Sequence, residues 1–222
     1  MKLRLLAAIV LTTGVLAAAD AAERLEEAAT AFQDVMGTPD KSIPQELLAK
    51  AECVIIVPDL KKGAFIFGAK YGRGFATCRK EGGVGWSAPG AVRVEGGSFG
   101  FQIGGSESDV FMLIMNKGGM DRLLSTKFTI GGEASAAAGP VGRTTQAETD
   151  AALTAEILTW SRSRGLFAGV SLQGATLRED KDSNEELYGQ GLTNRTIITG
   201  DRPTPAAATK LLTELNRYSS RR

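Results

Sequence analysis

Between residues 22 and 36 apolar side chains recur at helical spacing. Leu25, Ala28, Ala29, Phe32, Val35 and Met36 line one face, and Glu23, Arg24, Glu26, Glu27 and Asp34 take the other. Gly37 and Pro39 end this predicted amphipathic helix. Ser42, with Gln45 three residues on and Pro44 in the first turn, predicts a second short helix running to about Ala51. From Cys53 the period changes. Val54-Ile55-Ile56-Val57 predicts a fully buried strand that Pro58-Asp59 stops, followed by a turn at Lys61-Lys62-Gly63. Residues 64–70 predict a second strand, Gly72-Arg73-Gly74 a turn, and 75–79 a third strand. Trp86-Ser87-Ala88-Pro89 reads as a loop or edge. Residues 91–95 and 98–104, joined at Gly96-Gly97, read as a hairpin, and 110–115 as another buried strand.

Further on, a short helix is predicted near 119–124 and strand resumes at 128–130. The run 133–142, EASAAAGPVG, holds only small residues besides Glu133, Pro140 and Val141 and permits close backbone approach. Residues 150–162 suit a helix by composition, whereas Ile157, Thr159 and Trp160 before a Ser-Arg-Gly turn suit a strand. Strand returns over 166–178, and Asp182-Ser183 caps a brief helix ending at Gly189. A Pro/Ala linker at 203–208 leads to a C-terminal helix carrying Leu211, Leu212, Leu215 and Tyr218. The pattern predicts an α+β domain, with a largely antiparallel β-sheet or partly closed barrel, short helices and helices at both ends.

The first 21 residues follow a different rule. Lys2 and Arg4 precede an apolar run over 5–16, and Ala17-Ala18-Ala19 and Ala19-Asp20-Ala21 both fit a small-x-small cleavage site. The run is too short for a membrane span and reads as an export signal. The expected organisation is a signal peptide (1–21), an N-terminal amphipathic helix (22–39), a central domain (40–200) and a linker with C-terminal helix (201–222). The expected location is exported, periplasmic or membrane-associated. In an oxidising compartment Cys53 and Cys78 can pair. The alternative is two buried thiols, and a three-strand meander, which puts the two near opposite ends of their strands, speaks against the bridge.

Composition then removes most chemistry. The chain holds 222 residues and no histidine, so neither a Ser-His-Asp nor a Cys-His pair nor an HExxH zinc site can form. Two cysteines cannot close a Cys/His zinc site. The net charge of +1 argues against a nucleic-acid binder. Gly96-Gly97-Ser98-Phe99-Gly100 matches the GxSxG elbow, but that motif needs a strand-turn-helix and a histidine. Gly63 and Gly68 have phosphate-loop spacing, yet Ala69-Lys70-Tyr71 stands where Gly-Lys-Ser/Thr belongs. No enzyme, cofactor or metal is expected. Basic residues cluster beside predicted turns instead: Lys61-Lys62, Lys70 with Arg73, Arg79-Lys80, and Arg162 with Arg164, several of them flanked by aromatics. Were such turns gathered at one end of the sheet, they would make a patch for anionic headgroups. Charges at turns that are merely solvated are the alternative.

Four strings in order, Trp86-Ser-Ala-Pro89, Gly96-Gly-Ser-Phe-Gly100 with Gln102-Ile-Gly104, Ala137-Ala-Gly-Pro-Val-Gly-Arg143, and Ser161-Arg-Ser-Arg-Gly-Leu-Phe-Ala-Gly169, resemble the SYLF domain. The resemblance covers about residues 40–190. It implies a non-catalytic domain that binds phosphoinositides or other anionic lipids and, in yeast relatives, actin. Eukaryotic members are cytosolic adaptors with SH3 or FYVE modules, so for an exported chain actin is a partner only by analogy. The segment in the place of the eukaryotic lipid-binding helix, 22–36, is acidic here. The expected partner is an anionic lipid or membrane surface, with envelope proteins as the alternative. The expected headgroup contacts are Arg73, Arg143, Arg162 and Arg164, with Lys61 and Lys62 beside them.

Overall fold

The computed structural model describes residues 20–64, 67–99, 104–142 and 154–219. The predicted leader therefore lies outside the described residues up to position 19. Helix α1 (Ala21–Met36) follows, with Asp20 as its cap: the carboxylate accepts the Glu23 N–H at 2.7 Å, satisfying one of the orphan donors of the first turn. Helix α2 (Gln45–Lys50) is shorter than its predicted span and starts behind Pro44, without a side-chain cap.

The centre is one nine-stranded sheet built from β1 (Cys53–Ala64), β2 (Phe67–Cys78), β3 (Gly90–Phe99), β4 (Gly104–Ile114), β5 (Lys127–Thr129), β6 (Ala136–Ala138), β7 (Ile157–Ser163), β8 (Leu166–Gly169) and β9 (Thr176–Glu179). Its order is β5-β9-β3-β2-β1-β4-β7-β6, with β8 hairpinned onto β7. The β6–β7 pair is parallel and the others are antiparallel. Helices α3 (Lys117–Leu123), α4 (Lys181–Tyr188), α5 (Asn194–Ile198) and α6 (Thr209–Ser219) complete the chain. This is the expected α+β class, a curled, mostly antiparallel sheet with short helices.

The unbroken Val54–Val57 run has a simple cause: both faces of the sheet are covered. Val54 and Ile56 join Phe75, Phe111, Leu113 and Trp160 under α1 and α6, whose Leu25, Phe32, Leu211 and Leu215 close that side. Ile55 and Val57 join Val92, Val94, Met112 and Ile114 on the opposite side, covered by Phe128, Leu172 and Ile198. A strand with two buried faces has no polar alternation to show.

The long hairpins correct the predicted three-strand meander. β1 continues through Pro58-Asp59 as a bulge, where pairing with β4 shifts between Val57 and Leu60 and pairing with β2 between Ile56 and Lys61. A bulge tolerates a proline that lacks a ladder donor, and Asp59 takes φ 47° there. Gly72 and Gly74 are not turn residues. They face the bulge so closely that a Cβ on Gly74 would lie 2.1 Å from the Ile56 carbonyl oxygen, and one on Gly72 would lie 2.7 Å from Val57 Cγ1. Likewise β3 runs straight through Gly96-Gly97. Ser98 sits inside this strand, opposite Gly68, and not on a strand-to-helix elbow.

The hairpin also reverses the argument against the disulfide. Cys53 and Cys78 are direct cross-strand partners at the open end of β1–β2 and are bridged. The ambiguous 150–162 region is strand from Ile157 to Ser163, while the predicted strand 166–178 divides into β8 and β9. The small-residue run lets β6 lie under β7: a Cβ on Gly139 would come within 2.0 Å of the Trp160 ring, whose Nε1–H donates to the Pro140 carbonyl at 2.8 Å.

Candidate functional site

Two hairpins of this sheet finish side by side. β1 and β2 converge at the Ala64–Gly68 pair, β2 and β3 at Phe67–Phe99, and β1 and β4 at Ala64–Gly104. The β7–β8 turn ends at the same side, because Ser163 Oγ donates to the Glu107 carbonyl at 3.0 Å and Ser163 pairs with Leu166. One end of the sheet thus gathers Lys61 and Lys62 from β1, Lys70 and Tyr71 from β2, and Arg164 and Leu166 from the β7–β8 turn. Arg164 is exposed, at φ 49°. Tyr71 and Leu166 are apolar side chains left 44% and 75% exposed, beside those cations. Lys61 reaches one carboxylate, Glu107 at 3.5 Å, in an exposed pair worth less than about 1 kcal/mol.

The remaining sequence-predicted contacts are placed differently. Arg143 lies outside the described residues. Arg73 points to the α1 face of β2, where its Nε is 3.2 Å from the buried Asp180 carboxylate and donates to the Tyr71 hydroxyl at 2.9 Å. Arg162 is held on two sides: Nε donates to Asp109 Oδ2 at 2.9 Å and Nη1 to Asp34 Oδ2 at 2.7 Å. Both arginines already have oxyanion partners within the protein.

Arg162 also borders an acidic groove of about 390 Å³ between α1 and the β1 bulge, lined by Glu23, Glu26, Glu27, Asp59 and Asp109. Burial, and then the nearby Asp109 and Glu107 charges, push the Asp59 carboxyl above its ordinary range. Burial and the Asp59 charge do the same to Glu27. Among the described residues no cluster of His, Cys, Asp or Glu could hold a metal ion, and no helix is long and apolar enough to cross a membrane.

Sequence reasoning missed the pairing of Lys62 with Lys70, since it placed a turn at 61–63. The available signal was symmetry: the two lysines stand four residues either side of Ile66, as the partners of a hairpin centred there do. Arg24 was also misplaced. It is buried and donates to Ser183 Oγ at 3.3 Å, where helical spacing had put it on the solvent face.

Residues 95–218 match the family described as Ysc84, Las17-binding protein actin regulator. The SH3 domain-containing YSC84-like protein 1 of Homo sapiens is 37% identical over 188 residues, covering 82% of this chain and 53% of the relative. Its Rattus norvegicus counterpart is 36% identical over the same length, covering 82% and 54%. Protein YSC84 of Saccharomyces cerevisiae is 35% identical over 177 residues, covering 78% and 37%. The chain spans about half the length, or less, of these relatives. With the family model matching more than half of the chain, and relatives above 30% identity matching most of it, the chain belongs to the Ysc84, or SYLF, family.

Proposed function

We propose that this protein binds the anionic surface of a membrane without catalysing a reaction, as an exported component of a bacterial envelope. The observation that carries the reading is the gathering of three chain reversals at one end of the sheet, with Lys61, Lys62, Lys70 and Arg164 beside exposed Tyr71 and Leu166. Cations next to exposed aromatic and aliphatic side chains suit the headgroup level of a bilayer, where charge meets phosphate and apolar groups meet the acyl boundary. The acidic groove lies farther along β1, so the charge distribution orients the molecule with this end towards the lipid.

Vesicle flotation tests it. The purified chain floats with vesicles containing phosphatidylglycerol at low salt, is released as ionic strength rises, and stays behind with neutral vesicles. Lys61→Glu combined with Arg164→Glu weakens flotation without changing secondary structure. Absence of flotation under every condition would overturn the reading. It would favour the second one, a protein-interaction module of the envelope, for which the acidic groove along α1 offers a face to a basic partner. The Las17 and actin named for the family stay analogies, because an exported chain would not meet them.

A further inference from the structure

We propose that Lys62, Lys70 and Ser108 form a discrete site for a phosphomonoester group on the sheet face opposite α1. The site stands on its own geometry and rests on the membrane reading only for a lipid as the source of the phosphate. Lys62 and Lys70 are direct cross-strand partners of β1 and β2 and therefore project to one face. That face is the one of Leu60 and Val57, since Lys62 is two residues beyond Leu60. Like charges set directly opposite one another destabilise a sheet unless something neutralises them. Among the described residues no carboxylate lies within ion-pair distance of either ammonium, although on the other face of the same strands Lys61 has Glu107 and Arg73 has Asp180 and Asp182. Lys62 is half-buried, and burial followed by the Lys70 charge lowers its pKa. A bound dianion would relieve both penalties.

The surroundings fit a small oxyanion. Lys70 pairs with Gly96 on β3, and Ala175 packs over that glycine so closely that a Cβ there would lie 3.1 Å from its Cα, which walls the lysine pair on that side. On the other side Lys62 faces Ser106 of β4, and Ser108 lies one diagonal step away, opposite Leu60. Ser108 is 6% exposed, and its Oγ is buried with no hydrogen-bond partner. A buried hydroxyl without a partner is costly, and here it shares a face with two uncompensated cations. Two ammoniums and a hydroxyl supply the charge and donors that phosphate oxygens accept. A monoester carries about −1.5 to −2 near neutral pH, against −1 for a diester, so the pair selects the monoester.

The test compares the full chain with Lys70→Gln, Lys62→Gln and Ser108→Ala in two assays. One is flotation with phosphatidic acid (monoester) or phosphatidylglycerol (diester) vesicles of equal surface charge. The other is thermal unfolding with inorganic phosphate against chloride at matched ionic strength. The expected result is about tenfold tighter association with phosphatidic acid, reduced to the phosphatidylglycerol level in Lys70→Gln, and a phosphate-dependent rise in Tm that the lysine variants lose. In phosphate-free buffer Lys70→Gln unfolds at or above the wild-type temperature, since it removes a repulsion, so loss of folding does not explain the loss of binding. A phosphate-dependent Tm rise without flotation supports the site with a soluble ligand and overturns the membrane reading. Equal flotation with both lipids and no response to phosphate overturns the site and leaves the membrane reading standing. No flotation and no phosphate response overturns both.

Discussion

At the scale of single residues the acidic groove makes a pH prediction. The folded protein holds a proton on Asp59 more readily than an ordinary carboxyl of pKa 3.8, because burial and the charges of Asp109 and Glu107 oppose ionisation. A carboxyl whose folded pKa is raised adds stability below its unfolded pKa and loses it as pH rises through the folded value. Asp59→Asn therefore raises Tm at pH 7, and the gap to wild type closes by about pH 4. Asparagine also accepts the positive φ at this position, so the backbone adds no penalty. A variant that is less stable at pH 7 would count against this electrostatic account. None of this was legible in the sequence. Asp59 read as a strand stop, and its neighbours Asp109 and Glu107 are some fifty residues away, brought close by the β1–β4 register. The basic residues beside turns were legible as a class. Which of them would be paired was not, because the partners of Arg162, Asp34 and Asp109, come from different elements.

Elements were read well where one face was solvated and poorly where backbone approached backbone. α1 and α6 showed their apolar stripes, and both formed within a residue or two of the expected spans. The glycines misled, since Gly72, Gly74 and Gly96 serve close approach inside strands and not turns between them. The same misreading hid the Cys53–Cys78 bridge, which clamps the open end of the β1–β2 hairpin at a sequence separation of 25. Replacing both cysteines with alanine is expected to lower unfolding free energy by about 3 kcal/mol, the chain-entropy value for a loop of that size. Urea titration checks this, and wild type under a strong reductant should approach the double variant. A second prediction concerns the all-small run, legible as a place of close approach but not as the floor of Trp160. Gly139→Ala sets a methyl against that ring at 2.0 Å. The β6–β7 pair must then open, with a loss of about 1–3 kcal/mol, read by thermal unfolding and by quenching of the buried tryptophan.

For the whole molecule the net charge of +1 hides a segregation that composition cannot express. Lys61, Lys62, Lys70 and Arg164 collect at the hairpin end. Glu23, Glu26, Glu27, Asp59 and Asp109 collect in the groove under α1, and Arg73 and Arg162 are spent on internal carboxylates. Those two arginines and the lysine end should therefore separate by experiment. Arg73→Gln leaves the buried Asp180 with Ser183 and Arg162→Gln leaves Asp109 with the Asp59 N–H, so each costs about 1–3 kcal/mol of stability. Neither removes a cation from the hairpin end proposed to meet lipid, so both keep wild-type flotation with anionic vesicles at temperatures where they remain folded. Lys61→Glu with Arg164→Glu does the reverse: it sets a second carboxylate opposite Glu107 at an exposed register position, lowers Tm by less than either arginine variant does, and weakens flotation. Flotation lost in folded Arg73→Gln or Arg162→Gln, and retained in the charge-reversed pair, would move the lipid contact to the α1 side of the sheet. The segregation would then serve the groove and not the hairpin end.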